Sequence, residues 1–206
     1  MTDFFTEKEL IKLGYKFIVG VDEAGRGSLA GPVVAAVVML SIDENLFIDV
    51  DDSKKLNSKK REILFELICD NSICYSIEML DNVAIDEINI LNATIKAMEN
   101  AVLNLSLSPD YLLIDGNRYN SNKIPFRTII KGDSICKSIA AASILAKVYR
   151  DKWMLEVADK EYPEYNFAKH KGYGTAEHIS LIKQLGPCKY HRKSFLKKII
   201  NKNCFF

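Results

Sequence analysis

The segment Gly20-Val21-Asp22-Glu23-Ala24-Gly25-Arg26-Gly27-Ser28-Leu29-Ala30-Gly31-Pro32 limits the fold more than any other part of the chain. The apolar run Phe17-Ile18-Val19 leads into two acids, a Gly-Arg-Gly turn follows, and Val33 to Leu40 is apolar again. Two apolar runs punctuated by glycines read as strands. The second, apolar throughout, reads as a strand covered on both faces. Carboxylates at the end of a buried strand are costly to desolvate unless a positive charge stands beside them. Metal ions are the usual partner, and a glycine turn that bares backbone N–H groups suits a phosphate. The segment therefore points to metal-dependent chemistry on a phosphate.

A length of 206 residues with 48% hydrophobic content suits one domain with a full core. The 28 Lys and Arg nearly cancel the 27 Asp and Glu, so the net charge of +1 does not mark a nucleic-acid binder. The distribution says more. Lys54, Lys55, Lys59, Lys60 and Arg61 cluster, and Lys169, Lys171, Lys189, Arg192, Lys193, Lys197, Lys198 and Lys202 load the last third. A basic face beside an acidic pocket is compatible with a neutral total, although any single lysine run is ordinarily a solvated surface. The five cysteines contain no C-x-x-C pair, and the start of the chain carries no signal segment. Reduced thiols in a cytoplasmic protein are expected. The histidines lack zinc-finger spacing with those cysteines. The longest apolar run is too short for a bilayer, so no membrane partner is expected. A monomer is the default.

Along the chain, residues 16–22, 32–40, 73–79, 111–116 and 126–130 read as strands. A helix capped by Ser58 runs to about Asp70 with Ile63, Leu64, Leu67 and Ile68 on one side. The spacing of Ile85, Ile88, Leu91, Ile95, Met98, Val102 and Leu105 predicts a helix over 83–107. Asp133-Ser134 opens a long helix to about Lys160, whose Ala140, Ala141, Ala142 and Ala146 permit close packing on a sheet. Thr175 caps a last helix to Leu185. The mixture is an α/β layer structure.

Asp22 and Asp115 both stand where an apolar strand gives way to glycine, as ligand-binding residues in α/β sheets tend to do. Either alone is also an ordinary turn former. Successive strand side chains point to opposite faces, so Glu23 joins Asp22 at one metal only if the chain bends there. For Asp133 the spacing alone favours a helix N-cap. Asp151 lies about 27 Å of helical rise beyond it and reads as a salt-bridge partner. Asp51 and Asp52 read as shapers of a turn that presents Lys54 and Lys55.

Taken in order, several motifs resemble bacterial ribonuclease HII. They are Asp22-Glu23-Ala24-Gly25-Arg26-Gly27, Gly31-Pro32-Val33-Val34, Asp52-Ser53-Lys54-Lys55-Leu56, Glu87-Ile88-Asn89 and Ile114-Asp115-Gly116. Lys131-Gly132-Asp133, Ala140 to Val148, His170-Lys171-Gly172-Tyr173-Gly174-Thr175 and His191-Arg192-Lys193-Ser194-Phe195 complete the series over residues 16–196.

The resemblance implies an RNase H-like fold, a mixed sheet of about five strands flanked by helices. It divides the chain into a catalytic region 1–174 and a C-terminal helical extension 175–206 packed on the same domain. It also implies a catalytic and metal-binding quartet of Asp22, Glu23, Asp115 and Asp133, which moves Asp133 from cap to catalyst, with Mn²⁺ or Mg²⁺ as cofactor. The implied substrates are RNA/DNA hybrids and duplex DNA with embedded ribonucleotides. Gly25, Arg26, Gly27 and Tyr173 would read the ribose, with Lys54, Lys55, His170 and Lys171 on phosphates. His191 is a further phosphate candidate. The Phe205-Phe206 terminus fits a sliding-clamp motif poorly, so no clamp partner is assigned.

Overall fold

A computed structural model describes residues 2–120 and 123–200, so the Phe205-Phe206 terminus lies outside the described residues. Five strands form one sheet: β1 (Ile18–Ala24), β2 (Val33–Met39), β3 (Cys74–Leu80), β4 (Tyr111–Asp115) and β5 (Phe126–Ile129). Their order is β3-β2-β1-β4-β5. β1 pairs antiparallel with β2, and β2 with β3, while β4 and β5 run parallel to β1 and β4 respectively. β1, the strand that carries Asp22 and Glu23, is therefore the central one. The helices among the described residues are α1 (Phe5–Lys12), α2 (Ser58–Asn71), α3 (Asn82–Leu103), α4 (Lys137–Trp153), α5 (Asp159–Glu161), α6 (Phe167–His170), α7 (Ala176–Leu185) and α8 (Lys193–Leu196), with α3 and α4 on the sheet. Among the described residues, no helix is long and apolar enough to cross a membrane.

β2 shows how the sequence dictates the layers. All seven of its residues are buried. Val34, Ala36 and Val38 pack with α2 and with the alanines of α4, while Ala35, Val37 and Met39 pack with α3. The same alternation sorts β1 and β4. Val19, Val21, Leu112 and Ile114 face α3, whereas Ile18 and Leu113 join Ile139 of α4. At Gly20 an added Cβ would lie 2.1 Å from the carbonyl carbon of Ser138. Only glycine lets α4 lie this close to β1.

The segment 126–160 differs from expectation at its start. Asp133 belongs to a single 3₁₀ turn, Gly132–Ser134, and α4 begins only at Lys137 with Cys136 as its N-cap, which offers no side-chain bond. The bond comes instead from α1: a carboxylate oxygen of Glu7 accepts from the Ser138 N–H at 2.9 Å and from its hydroxyl at 2.6 Å. An acid at a helix start is favoured by the exposed N–H groups and the helix dipole. Glu7 takes that place and Asp133 is released from it. At its other end α4 passes through one π turn, Met154–Ala158, into α5.

Smaller corrections follow from local chemistry. α2 is capped by Asn57, whose side chain accepts from the Lys60 N–H, not by Ser58. Ile63, expected on the buried side of α2, is exposed. α3 is interrupted at Asn89 (φ 64°), whose side-chain oxygen accepts from the N–H groups of Leu91 and Asn92 and restarts the helix. Thr175 caps α7 as expected, accepting from the His178 N–H at 3.2 Å.

Candidate active site

The acids gather at the end of the central strand. One residue beyond the registered pair Val21–Ile114 come Asp22 on β1 and Asp115 on β4. In-register neighbours on adjacent strands share a face, here the face covered by α4. Asp133 meets them from the 3₁₀ turn that follows β5. The Gly132 N–H donates to Asp115 at 2.7 Å, which ties that turn to the β4 end. The chain does not bend at Glu23, so the backbone does not meet the condition for Glu23 to join Asp22 at a single metal. β1 runs unbroken to Ala24, and the turn falls at Gly25, with φ of +94°. Glu23 therefore starts on the α3 face, and the cavity it lines there with Arg26, Thr94 and Met98 reaches round the end of β4 to Asp115.

Burial and mutual repulsion raise the pKa values of Asp22, Glu23 and Asp115. Asp22 is only 4% exposed. Its pKa is pushed well above the usual carboxylate range by burial, then by the charges of Glu23 and Asp115. The Asp115 pKa is raised by burial and then by Asp133. That of Glu23 is raised by burial, against the opposing pull of Arg26. Asp133 is 3% exposed, and the Lys54 ammonium donates to it at 2.5 Å. Burial alone would lower the Lys54 pKa, but the bond to Asp133 holds it up. Arg26 pairs with Glu23 at 3.2 Å.

Four carboxylates thus face two cationic side chains, which leaves the site short of positive charge when all four are ionised. Among the described residues, no three His, Cys, Asp or Glu side chains form a finished metal cage. The chemistry of the donors nevertheless fits a hard divalent ion. All are carboxylate oxygens, and oxygen donors suit Mg²⁺ or Mn²⁺.

The other residues singled out in the sequence fall into two groups. Lys54 belongs to the acid cluster, and its loop is shaped by Asp51 and Asp52 as expected. Asp52 accepts from the Lys54 N–H at 2.9 Å, and Asp51 pairs with Lys55 at 3.4 Å. Tyr173 lies beside the glycine turn, because Ser28 and Tyr173 form a β-bridge and the Leu29 N–H donates to the Gly172 carbonyl at 2.8 Å. Lys171 stands in the same loop, its ammonium bonded to the Ala168 carbonyl and its own carbonyl accepting from Arg150. Asp151 pairs with Lys147 at 2.9 Å, the structural role expected of it.

His170 does not fit a phosphate contact. It is 7% exposed, accepts from the Gly172 N–H at Nδ1 and lies 2.8 Å from the Tyr165 carbonyl at Nε2, so both ring nitrogens are engaged. It stacks on His178, whose Nε2 lies 3.0 Å from Nε2 of His191. His191 is equally buried. The isolated histidines of the sequence are one buried cluster.

Arg150 is not singled out by the sequence, and Arg192 stands out there only as one basic residue of the last third and part of the His191–Phe195 motif. Both are fully buried beneath the glycine turn. Nothing local marks Arg150, which shares α4 with Lys137, Lys147, Asp151 and Lys152.

The acids at the end of the central strand of a five-stranded mixed sheet are the layout of a nuclease of the ribonuclease H class. The crystal structure of ribonuclease H2 from Pyrococcus horikoshii OT3 superposes with a TM-score of 0.75 at 25% identity, covering 89% of this chain and 97% of that one. Bst-RNase HIII in complex with Mn²⁺ superposes at 0.60 with 20% identity, covering 85% and 65%. In sequence, the family model for ribonuclease HII matches residues 19–198. A ribonuclease HII of Caldicellulosiruptor saccharolyticus is 56% identical over 198 residues, 96% of this chain and 95% of its own. This chain belongs to the ribonuclease HII family, endonucleases that hydrolyse RNA in RNA/DNA substrates.

Proposed function

We propose that this protein hydrolyses the RNA strand of RNA/DNA hybrids and nicks 5′ to single ribonucleotides in duplex DNA, leaving 3′-hydroxyl and 5′-phosphate ends. The observation that carries the reading is the abutment of two structures. The acid cluster ends β1, and Ser28, directly after the Gly25–Gly27 turn, is bridged to Tyr173. Hydrolysis and recognition of a ribose then lie on adjoining surfaces.

Asp22, Glu23, Asp115 and Asp133 would hold two divalent ions, Mg²⁺ or Mn²⁺. When bound, such ions supply Lewis acidity to the scissile phosphate and acidify water for attack on it. The protein's part is to present four deprotonated carboxylates against their own repulsion. Lys54 and Arg26 hold that repulsion in check while the ions are away. Lys54, Lys55 and Lys171 meet backbone phosphates, which gives affinity without sequence preference. The Gly25–Gly27 backbone and Tyr173 sense the 2′-hydroxyl, the group that separates RNA from DNA at one position. The 1–174 region carries this chemistry, and residues 175–200 buttress the Tyr173 loop, His178 lying 3.0 Å from the Tyr173 carbonyl.

The test is a nicking assay with Mg²⁺ or Mn²⁺ on a DNA duplex carrying one ribonucleotide, beside an all-DNA control and a long RNA/DNA hybrid. Cleavage 5′ to the ribonucleotide with the control intact is expected. Metal-independent cleavage, or equal cleavage of the control, sinks the reading.

A further inference from the structure

Arg150 and Arg192 are each 0% exposed, and among the described residues neither forms an ion pair with a carboxylate. Buried charges are ordinarily paired, because desolvating an ion costs several kcal/mol. Here backbone carbonyls do the pairing. Arg150 donates from Nε to Pro32 at 3.0 Å, from one terminal nitrogen to Ala30 at 3.1 Å, and from the other to Lys171 at 3.0 Å. Arg192 donates to Gly31 at 3.0 Å, Arg26 at 3.0 Å and Pro32 at 3.1 Å. The six bonds end on five carbonyls, with Pro32 shared by both arginines, and all five belong to the glycine turn or to the loop that holds Tyr173.

The division of labour differs between the two. The side-chain hydrogen bonds of Arg192 all go to the first loop, and its guanidinium carbon lies 5.2 Å from the Phe195 ring centroid. Arg150 spans both: two of its bonds go to residues 30 and 32, the third to residue 171, and its guanidinium carbon lies 5.3 Å from the Tyr173 ring centroid. The glycines make room for it. A Cβ at Gly25 would lie 2.1 Å from the Arg150 Nε, and one at Gly172 would lie 2.6 Å from the Ala30 carbonyl oxygen. Only a planar fork with several fixed donors reaches three carbonyls on two loops at once; a lysine ammonium has no such reach.

We propose that Arg150 is a positioning residue for ribonucleotide discrimination: it sets the Gly25–Gly31 turn against Tyr173 before substrate arrives. The inference rests on the reading that these two loops sense the ribose. Its consequence is that discrimination, rather than metal binding or general affinity for duplex, depends on the strut.

The test compares wild type with Arg150→Lys, which keeps the charge and loses the fork. The readouts are kcat/KM on a duplex with one ribonucleotide, binding of the matching all-DNA duplex, and Mn²⁺ affinity by titration calorimetry. Arg150→Lys is expected to lose about tenfold or more in kcat/KM for the ribonucleotide duplex, with all-DNA binding and Mn²⁺ affinity within about threefold. A proportional loss in every readout would reduce Arg150 to a structural residue and overturn the proposal, as would unchanged discrimination.

A second measurement on the wild type needs no folded variant. Hydrogen exchange of the Leu29, Ala30 and Tyr173 amides is expected to be slow in the substrate-free protein. Fast exchange that slows only on binding duplex overturns the proposal, because the loops would then be set by substrate. Wild-type protein that does not discriminate at all removes the underlying reading, and the proposal with it. A discriminating wild type with a discriminating Arg150→Lys removes the proposal alone.

Discussion

The Lys54 ammonium donates to Asp133 at 2.5 Å across 79 residues of chain, and that contact places a lysine among four acids. In the substrate-free protein it competes with any divalent ion for the same carboxylates. Lys54→Ala is expected to raise Mn²⁺ affinity about three- to tenfold, as removal of one neighbouring positive charge should. The same variant should raise KM for duplex, because a phosphate contact is lost. Calorimetric titration that shows unchanged or weaker Mn²⁺ binding would contradict the competition.

Asp22→Asn separates catalysis from stability. Loss of one ligand from the quartet is expected to cut nicking at least about 1000-fold, with duplex binding within about threefold. In EDTA the variant should be more stable than wild type, by roughly 1–3 kcal/mol, because a buried repelled charge has gone. The sign follows from the pKa of Asp22, which is raised in the fold by burial, Glu23 and Asp115. Its stabilising contribution is full below the unfolded value of 3.8 and is lost as pH rises through the folded one. At neutral pH the metal-free wild type therefore carries the penalty. Thermal melts in EDTA and in Mn²⁺ check it: a variant that melts below wild type in EDTA refutes the argument.

The buried histidines have the opposite sign. Burial pushes the His178 pKa down to about 4, and burial followed by the His178 charge pushes His191 to about 3. Groups depressed in the fold contribute stability above their unfolded value of 6.5, and lose it as pH falls toward the folded values. The groups facing them are Cys188, Tyr165 and His170, with Glu177, Lys171 and Asp159 around His170. Wild type should lose roughly 2–4 kcal/mol between pH 7 and pH 5 through this pair. Raised acids such as Glu7 and Asp22 pull the other way. Urea titrations of wild type and His191→Asn isolate the difference, and parallel pH dependences would exclude the pair as its source.

Gly20→Ala tests the close approach of α4 to β1. The new methyl would meet the Ser138 backbone, 2.1 Å from its carbonyl carbon, and neither helix nor strand has a flexible end to withdraw. A destabilisation of about 3 kcal/mol or more is expected from such overpacking. Denaturant midpoints measure it, and a loss below about 1 kcal/mol would show that the two elements yield more easily than a packed interior should.

Much of this molecule is legible residue by residue. The β1–glycine–β2 segment, the strand over 111–115 and the Thr175 cap all follow from apolar runs, alternation and capping chemistry, which act over a few residues. So does the placing of Asp22 and Asp115 at strand ends. Reading Asp133 as a helix cap fails for a physical reason. The competing cap, Glu7, lies 131 residues from the Ser138 it binds, and no local pattern announces it. His170 fails likewise: it reads as a loop histidine until Tyr165, Gly172 and His178 close around it.

The α/β layering, the acids at the strand ends and, through the ordered motifs, the family are all written in the chain. They depend on hydrophobic periodicity and on residue types at short spacing. Which acids share a face, which lysine neutralises them, and that two buried arginines hold the glycine turn and the Tyr173 loop together emerge from the folded molecule alone. Those choices are made by packing between segments far apart in the chain. There, the need to satisfy every buried charge and carbonyl selects one arrangement from many that the local sequence would allow.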